Sequence, residues 1–119
     1  MENINKLIQD FERTRVQLGA LESQSQSLKV QSSVLGEAVK ELEETKEKKV
    51  YKAIGNILIL TNVSKVKKEL SDQKESLDLR VKTVKKQEET TLNKLNTLKS
   101  EIEDFQKGSK DEKKDKEEK

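Results

Sequence analysis

The sequence predicts a mainly α protein, a long antiparallel coiled-coil hairpin with a short β-hairpin between its two helices. Of its 119 residues 40% are charged and 30% hydrophobic, which is too polar for a compact core. Proline is absent and glycine occurs four times, so little interrupts a long helix. Two heptad patterns flank one apolar segment at residues 50–61. The chain is therefore expected to bury a narrow stripe along paired helices.

The first heptad pattern predicts a helix over residues 3–48. Nine of its twelve stripe positions are apolar, and the spacing of alternate three and four residues keeps one stripe facing a partner helix. The stripe positions are Ile4, Leu7, Phe11, Thr14, Leu18, Leu21, Ser25, Leu28, Ser32, Leu35, Val39 and Leu42.

The second pattern predicts a helix over residues 64–107, of nearly equal length, so the two helices should pair antiparallel. One set of its stripe positions is largely apolar, and the other contains fewer apolar residues. Gly108 is expected to follow the helix end. The first set is Val63, Leu70, Leu77, Val84, Thr91, Leu98 and Phe105; the second is Lys67, Lys74, Val81, Glu88, Leu95 and Ile102.

The last eleven residues, 109–119, contain five lysines, five acidic residues and one serine. A segment without apolar residues cannot offset the entropy of ordering. We therefore predict one coiled-coil domain over residues 1–108 and a disordered charged tail over 109–119.

The segment between the helices predicts a β-hairpin over residues 50–61. Eight of these twelve residues are apolar, and Gly55-Asn56 is a two-residue turn signal between two short runs rich in β-branched residues. A continuous bent helix is the alternative, which the Gly-Asn pair and three isoleucines disfavour. The turn places Tyr51, Ala53, Leu58 and Leu60 on one face, and Val50, Ile54, Ile57 and Ile59 on the other with Lys52.

With both faces largely apolar, this hairpin is marginal alone in water, and packing on its own helices would cover one face. We therefore expect Val50, Tyr51, Ala53, Ile54, Ile57, Leu58, Ile59 and Leu60 to mediate oligomerisation.

Several function classes are disfavoured by composition. With no His, no Cys and no Gly-rich phosphate loop, common catalytic and metal constellations are missing, so we expect no enzyme, no metal and no cofactor. The 25 basic and 23 acidic residues are intermixed and only three residues are aromatic, which argues against nucleic-acid binding. No apolar run approaches the ~20 residues of a membrane span and no signal-peptide core is seen, so a cytoplasmic protein without membrane contact is expected.

The chain resembles the β subunits of prefoldin, and archaeal ones most. The resemblance rests on the apolar hairpin at residues 50–59, on its place between two long helices, and on residues 79–89 of the second helix. It spans residues 1 to about 107, and α-type subunits differ in carrying two hairpins. The tail after Gly108 matches no part of that pattern.

This resemblance implies a hexamer of two α-type and four β subunits, joined through their hairpins. It further implies an ATP-independent holdase that captures unfolded polypeptides at the coiled-coil tips and delivers them to a group II chaperonin. A structural scaffold or tethering subunit without client binding is the alternative.

Antiparallel pairing would bring both chain ends to one tip. The candidate client-binding residues there are Ile4, Leu7, Ile8, Phe11, Leu98, Ile102 and Phe105. In the simpler interpretation, Leu7 and Leu98 lie in the seam, which is the line of contact between the two helices. Fraying of the helix ends would instead expose the other five residues as apolar patches.

Overall fold

Two long helices separated by a two-stranded antiparallel sheet make up the protein. The computed structural model describes the backbone of residues 2–117 and the side chains of residues 3–108. The elements are α1 (Glu2–Glu44), β1 (Lys49–Ile54), β2 (Ile57–Asn62) and α2 (Val63–Glu117). The predicted fold class is confirmed.

The heptad stripe on α1 is buried as predicted. All twelve stripe positions are buried or half-buried, including the three that are polar. On α2 the stripe positions from Val63 to Ile102 are likewise buried or half-buried, and Phe105 is exposed. Burial along a narrow line, in a chain this rich in charge, is what the 3.5-residue spacing of apolar side chains produces.

The structure ends α1 four residues before the predicted boundary at residue 48. Thr45 N–H donates the last helical bond to the Glu41 carbonyl (3.0 Å), and Thr45 Oγ1 then accepts from Glu47 N–H (3.2 Å). A threonine hydroxyl that bonds to a nearby backbone group competes with helix continuation. The Lys48 carbonyl accepts from Val63 N–H (2.9 Å), which ties together the two connections at the base of the sheet.

The predicted end of the second helix at residue 107 is also wrong, because α2 continues to Glu117. Among the described residues only Gly55 has a positive φ, so Gly108 does not adopt the left-handed conformation of a helix-ending glycine. Lysine and glutamate, which dominate the residues that follow, are good helix formers. The helical backbone of residues 109–117 does not agree with the disordered charged tail predicted for 109–119. The side chains of 109–119 and the backbone of Glu118 and Lys119 lie outside the described residues.

The chain divides into two compact units. The hairpin unit is Gln24–Val84, and the terminal unit comprises Met1–Ser23 and Lys85–Lys119. Each helix contributes one segment to each unit.

In the hairpin unit, Leu28 and Val84 are both 5% exposed and form its apolar core. Leu35 and Leu77 line one groove, and Leu42 and Leu70 line another, so each groove takes one leucine from each helix.

Polar contacts within the hairpin unit join the same two helix segments. Ser32 Oγ donates a short hydrogen bond to Asp78 Oδ1, which shares its carboxylate with Lys74 Nζ (3.0 Å). These two hydrogen bonds lower the pKa of Asp78, that from Ser32 most. A contact between the buried Ser32 and the half-exposed Asp78 favours one register of the paired helices, since sliding by one residue would separate the two while Lys74 stayed paired with Asp78.

In the terminal unit, Thr14 is 2% exposed and Leu98 is 8% exposed. Arg15 pairs with Glu12 one turn earlier on the exposed surface (2.9 Å), a contact of small energetic weight.

The β-hairpin forms with the predicted turn, and each strand extends one residue beyond the predicted 50–61. Its register pairs Ile54 with Ile57 and Lys49 with Asn62. Gly55 has φ of 58°, and Asn56 is not in the positive-φ region. A positive φ at the first turn residue alone is the pattern of a type II′ turn, which suits the right-handed twist of the strands.

Two glycine substitutions should shift stability in opposite directions. Gly55→Ala should lower the free energy of unfolding by about 1 kcal/mol, because an L-residue is strained at positive φ although no atom lies within 4 Å of the added carbon. Gly19→Ala, also in open space but inside α1, should raise it by about 0.5–1 kcal/mol. Urea denaturation measures both, and equal effects of the two variants would contradict the turn assignment.

Candidate functional site

The hairpin carries an apolar surface that this chain leaves open to water. We define the hairpin surface as Val50, Tyr51, Ala53, Ile54, Ile57, Leu58, Ile59 and Leu60. The exposed fraction is 69% for Tyr51, 66% for Leu58 and 65% for Ile57, and it is 45–53% for Ile54, Ile59 and Leu60. Six large apolar side chains are exposed on this one short segment, whereas an ordinary protein surface exposes such side chains singly and scattered.

The strand register assigns these residues to two faces, as predicted. Tyr51 lies opposite Leu60 and Ala53 opposite Leu58, so these four share one face. Ile54 lies opposite Ile57 and Lys52 opposite Ile59 on the other. Both faces of the two-stranded sheet are therefore apolar.

The second face is attached to the helices at its base. Val50 is half-buried and lines a groove with Leu42, Val66 and Leu70. Lys52 Nζ donates to Glu69 Oε2 on α2 at 2.7 Å. This ion pair orients the hairpin on the start of α2 while the rest of its apolar surface stays free.

This contact favours the charged form of Glu69. The hydrogen bond from Lys52 lowers the pKa of the Glu69 carboxyl, partial desolvation opposes that shift, and the charges of Lys52 and Lys65 lower the pKa further. The sequence showed Lys52 on the hairpin but gave no signal for its partner. Seventeen residues separate the two, so helix or strand periodicity cannot pair them.

A second candidate surface lies in the terminal unit. We define the terminal patch as the seven predicted tip residues Ile4, Leu7, Ile8, Phe11, Leu98, Ile102 and Phe105. Ile8 and Phe105 are each 43% exposed, and Leu98 is buried at 8%. The other four are half-buried.

The terminal patch therefore combines two kinds of residue. Ile8 lies beside the strict heptad stripe, and Phe105 lies on α2 near the end of its described side chains, so both present apolar surface without any rearrangement. Leu98 is a seam residue and becomes accessible only if the two helix segments open. The structure brings all seven residues into one unit, and it does not expose them equally.

The described residues form neither a metal-ligand cluster nor a membrane-spanning helix. No group of three or more His, Cys, Asp or Glu side chains in the described part of the chain could hold a metal ion. The described helices also contain no stretch both long and apolar enough to cross a membrane.

Comparison with known proteins gives a consistent result. The family model described as "Prefoldin subunit" matches residues 5–109. The prefoldin subunit beta of Archaeoglobus fulgidus is 33% identical over 87 residues, which cover 72% of this chain and 75% of the relative. That of Pyrobaculum calidifontis is 29% identical over 101 residues, covering 84% of this chain and 81% of the relative.

Another relative matches a shorter part of the chain at higher sequence identity. The prefoldin subunit beta of Sulfurisphaera tokodaii is 47% identical over 58 residues, 49% of this chain and 41% of the relative. Among solved structures, the prefoldin beta subunit from Thermococcus strain KS-1 superposes with a TM-score of 0.83 at 24% identity. That superposition covers 88% of this chain and 93% of the other, and it shows the shared fold.

The Lys52–Glu69 contact predicts a measurable shift. In a carboxyl ¹³C NMR titration, Glu69 should titrate below the ordinary glutamate value of 4.5, and Lys52→Met should raise its pKa. The control Lys65→Met removes a charge with a smaller effect and should raise the pKa less.

The direction of this shift fixes its pH dependence. The pKa of Glu69 is lower in the folded state than in the unfolded state. The contact therefore contributes fully to the free energy of unfolding above the unfolded-state pKa, and this contribution is lost as pH falls through the folded-state pKa. An unshifted Glu69 in the unaltered protein would show that the contact does not form.

Proposed function

The chain belongs to the prefoldin subunit family, and on that premise we propose that it holds unfolded polypeptides without ATP through its terminal patch. Membership makes it a chaperone subunit that associates with other prefoldin subunits. The proposal adds what the subunit does in that assembly: it captures non-native segments and delivers them to a group II chaperonin in the cytoplasm.

The observation that carries this proposal is that the exposed Ile8 and Phe105 belong to the same unit as the half-buried Ile4, Phe11 and Ile102. A client segment can bury its own apolar side chains against them with no cost of opening the seam. Each such contact is small and weak. Several subunits acting on one client raise the effective concentration and supply avidity, while single contacts still release quickly.

Assembly in this proposal is assigned to the hairpin surface. Strands or a second apolar layer from other subunits would cover Tyr51, Leu58 and Ile57, which are the most exposed residues of that surface. We propose that the partners are α-type subunits and further copies of this chain, two α and four β in all. The separate exposure of the two surfaces lets one serve assembly while the other serves clients.

A structural scaffold or tethering role without client binding is the second candidate. The burial of Leu98 and the half-burial of Leu7 favour it, because seam residues need no client to explain them. The two functions differ in whether Ile8 and Phe105 must be free to contact unrelated sequences.

The test is suppression of aggregation of guanidinium-denatured citrate synthase by the assembled oligomer, in the absence of nucleotide. Ile8→Ser combined with Phe105→Ser should raise the oligomer concentration needed for half-suppression roughly fivefold, because two exposed apolar contacts per subunit are lost. Removing residues 1–11 and 102–119, and with them every terminal-patch residue but Leu98, should abolish suppression while the oligomer remains intact.

The matched control is Val16→Ser combined with Leu92→Ser, which alters two apolar side chains of the same unit that are 67% and 44% exposed. It should suppress aggregation as the unaltered oligomer does. No suppression by the unaltered oligomer would favour the scaffold, and equal suppression by the Ile8/Phe105 variant would remove the terminal patch from the mechanism.

A further inference from the structure

One stretch of α1 differs in charge from the rest of this chain. Residues 23–36 contain a single charged residue, Lys29, although 40% of the whole sequence is charged. The stretch supplies Leu28, Ser25 and Ser32 to the buried stripe. It also exposes Val30 and Val34, one helical turn apart, at 53% and 58%. Neither valine occupies a stripe position, so closure of the coiled coil does not explain them.

These two valines border a groove within the hairpin unit. The groove has a volume of about 570 Å³ and is lined by Val30, Gln31, Val34, Leu35, Gln73, Ser76 and Leu77. Leu35 and Leu77 are half-buried, whereas both glutamines and Ser76 are exposed. No lining residue is charged.

The lining defines the chemistry of what can bind. A charged group placed there would lose hydration without an opposite charge from the lining residues, which is unfavourable. Apolar side chains would gain burial against the valines and leucines. The glutamine amides both donate and accept hydrogen bonds, so they can satisfy backbone N–H and C=O groups of a bound chain whatever its sequence.

The size of the groove selects between possible occupants. A stable interface with a folded subunit takes roughly 20–30 residues from each side. Seven lining residues are too few for a stable interface with a second copy of this chain, and outside residues 23–36 and 50–61 such a copy would bring charge-dense helices to an uncharged groove. A short uncharged apolar segment with free backbone groups fits both the size and the chemistry.

We propose that the groove between Val30, Val34 and Leu77 is a second client-contact surface, which binds uncharged apolar segments of non-native polypeptides. It rests on the proposed holdase function and adds a surface distinct from the terminal patch. A client held at both surfaces is bound at two points by one subunit, which slows its release. Segments rich in charge would be bound at the terminal patch alone.

The test compares two double variants in the aggregation assay with denatured citrate synthase. Val30→Glu with Val34→Glu should raise the oligomer concentration needed for half-suppression roughly threefold or more, because charge now lies where apolar segments bind. The control, Val16→Glu with Leu79→Glu, adds the same charge at valine and leucine side chains 67% and 58% exposed outside the groove. It should match the unaltered oligomer. Glutamate is a better helix former than valine and about equal to leucine, which offsets the repulsion between the two glutamates one turn apart in the Val30/Val34 variant.

A second measurement does not depend on the glutamate variants. A photoreactive benzophenone side chain in place of Val34 should crosslink the denatured client, and the same group in place of Leu79 should not. Val30→Ile with Val34→Ile should keep suppression at or above the unaltered level.

The outcomes separate the two proposals. If the unaltered oligomer suppresses aggregation and the Val30/Val34 glutamate variant suppresses equally, or if Val34 yields no client crosslink, the groove is not a client surface although the holdase function stands. Dissociation of the oligomer by that variant alone would instead make the groove a subunit interface and overturn the proposal. An unaltered oligomer without suppression would overturn the holdase function and this inference with it.

Discussion

The hairpin surface is the constraint on which the rest of the structure depends. Burying one leucine- or isoleucine-sized side chain is worth about 1.5–3 kcal/mol, and six large apolar side chains of this segment remain exposed on the single chain. Its two strands have only each other, so both sheet edges and most of both faces lack a covering layer. The Lys52–Glu69 contact and the half-buried Val50 attach the base of the sheet and leave most of the remainder exposed. We propose that this surface drives association, through the same hydrophobic effect that folds compact proteins.

The helices show how a chain that is 40% charged can be ordered. A single stripe of side chains is buried or half-buried, and its fully buried polar members, Thr14, Ser25 and Ser32, are small. Ser32 donates to Asp78, and Thr14 is the most buried side chain described. Polar layers weaken the seam relative to leucine but restrict its register. A seam of this kind leaves apolar residues beside the stripe, such as Ile8, Val30 and Val34, free to contact other molecules.

Sequence patterns predicted the elements and the hairpin well, because heptad spacing and a Gly-Asn turn are local signals. The helix ends were predicted less well, since Thr45 ends α1 through its own hydroxyl bond and Gly108 stays helical. Within the terminal patch, periodicity identified the residues but not their exposure: Leu98 is buried while Phe105, also a stripe position, is exposed. The Lys52–Glu69 and Ser32–Asp78 contacts depend on how distant segments pack, which no short-range spacing encodes. The low charge of residues 23–36 was visible in the sequence, but the groove beside it became visible only once α2 supplied Gln73, Ser76 and Leu77.

The central claim is that the hairpin surface is the assembly device, and hydrogen exchange of its backbone amides tests it most directly. In the assembled oligomer, the amides of residues 49–62 should exchange slowly, because other subunits cover the sheet edges and both apolar faces. Substituting Tyr51 and Leu58 with lysine should release the single chain, and the same amides should then exchange rapidly while those near Leu28 and Val84 stay protected. Equal exchange of residues 49–62 before and after release, or an intact oligomer in spite of both lysines, would contradict the account.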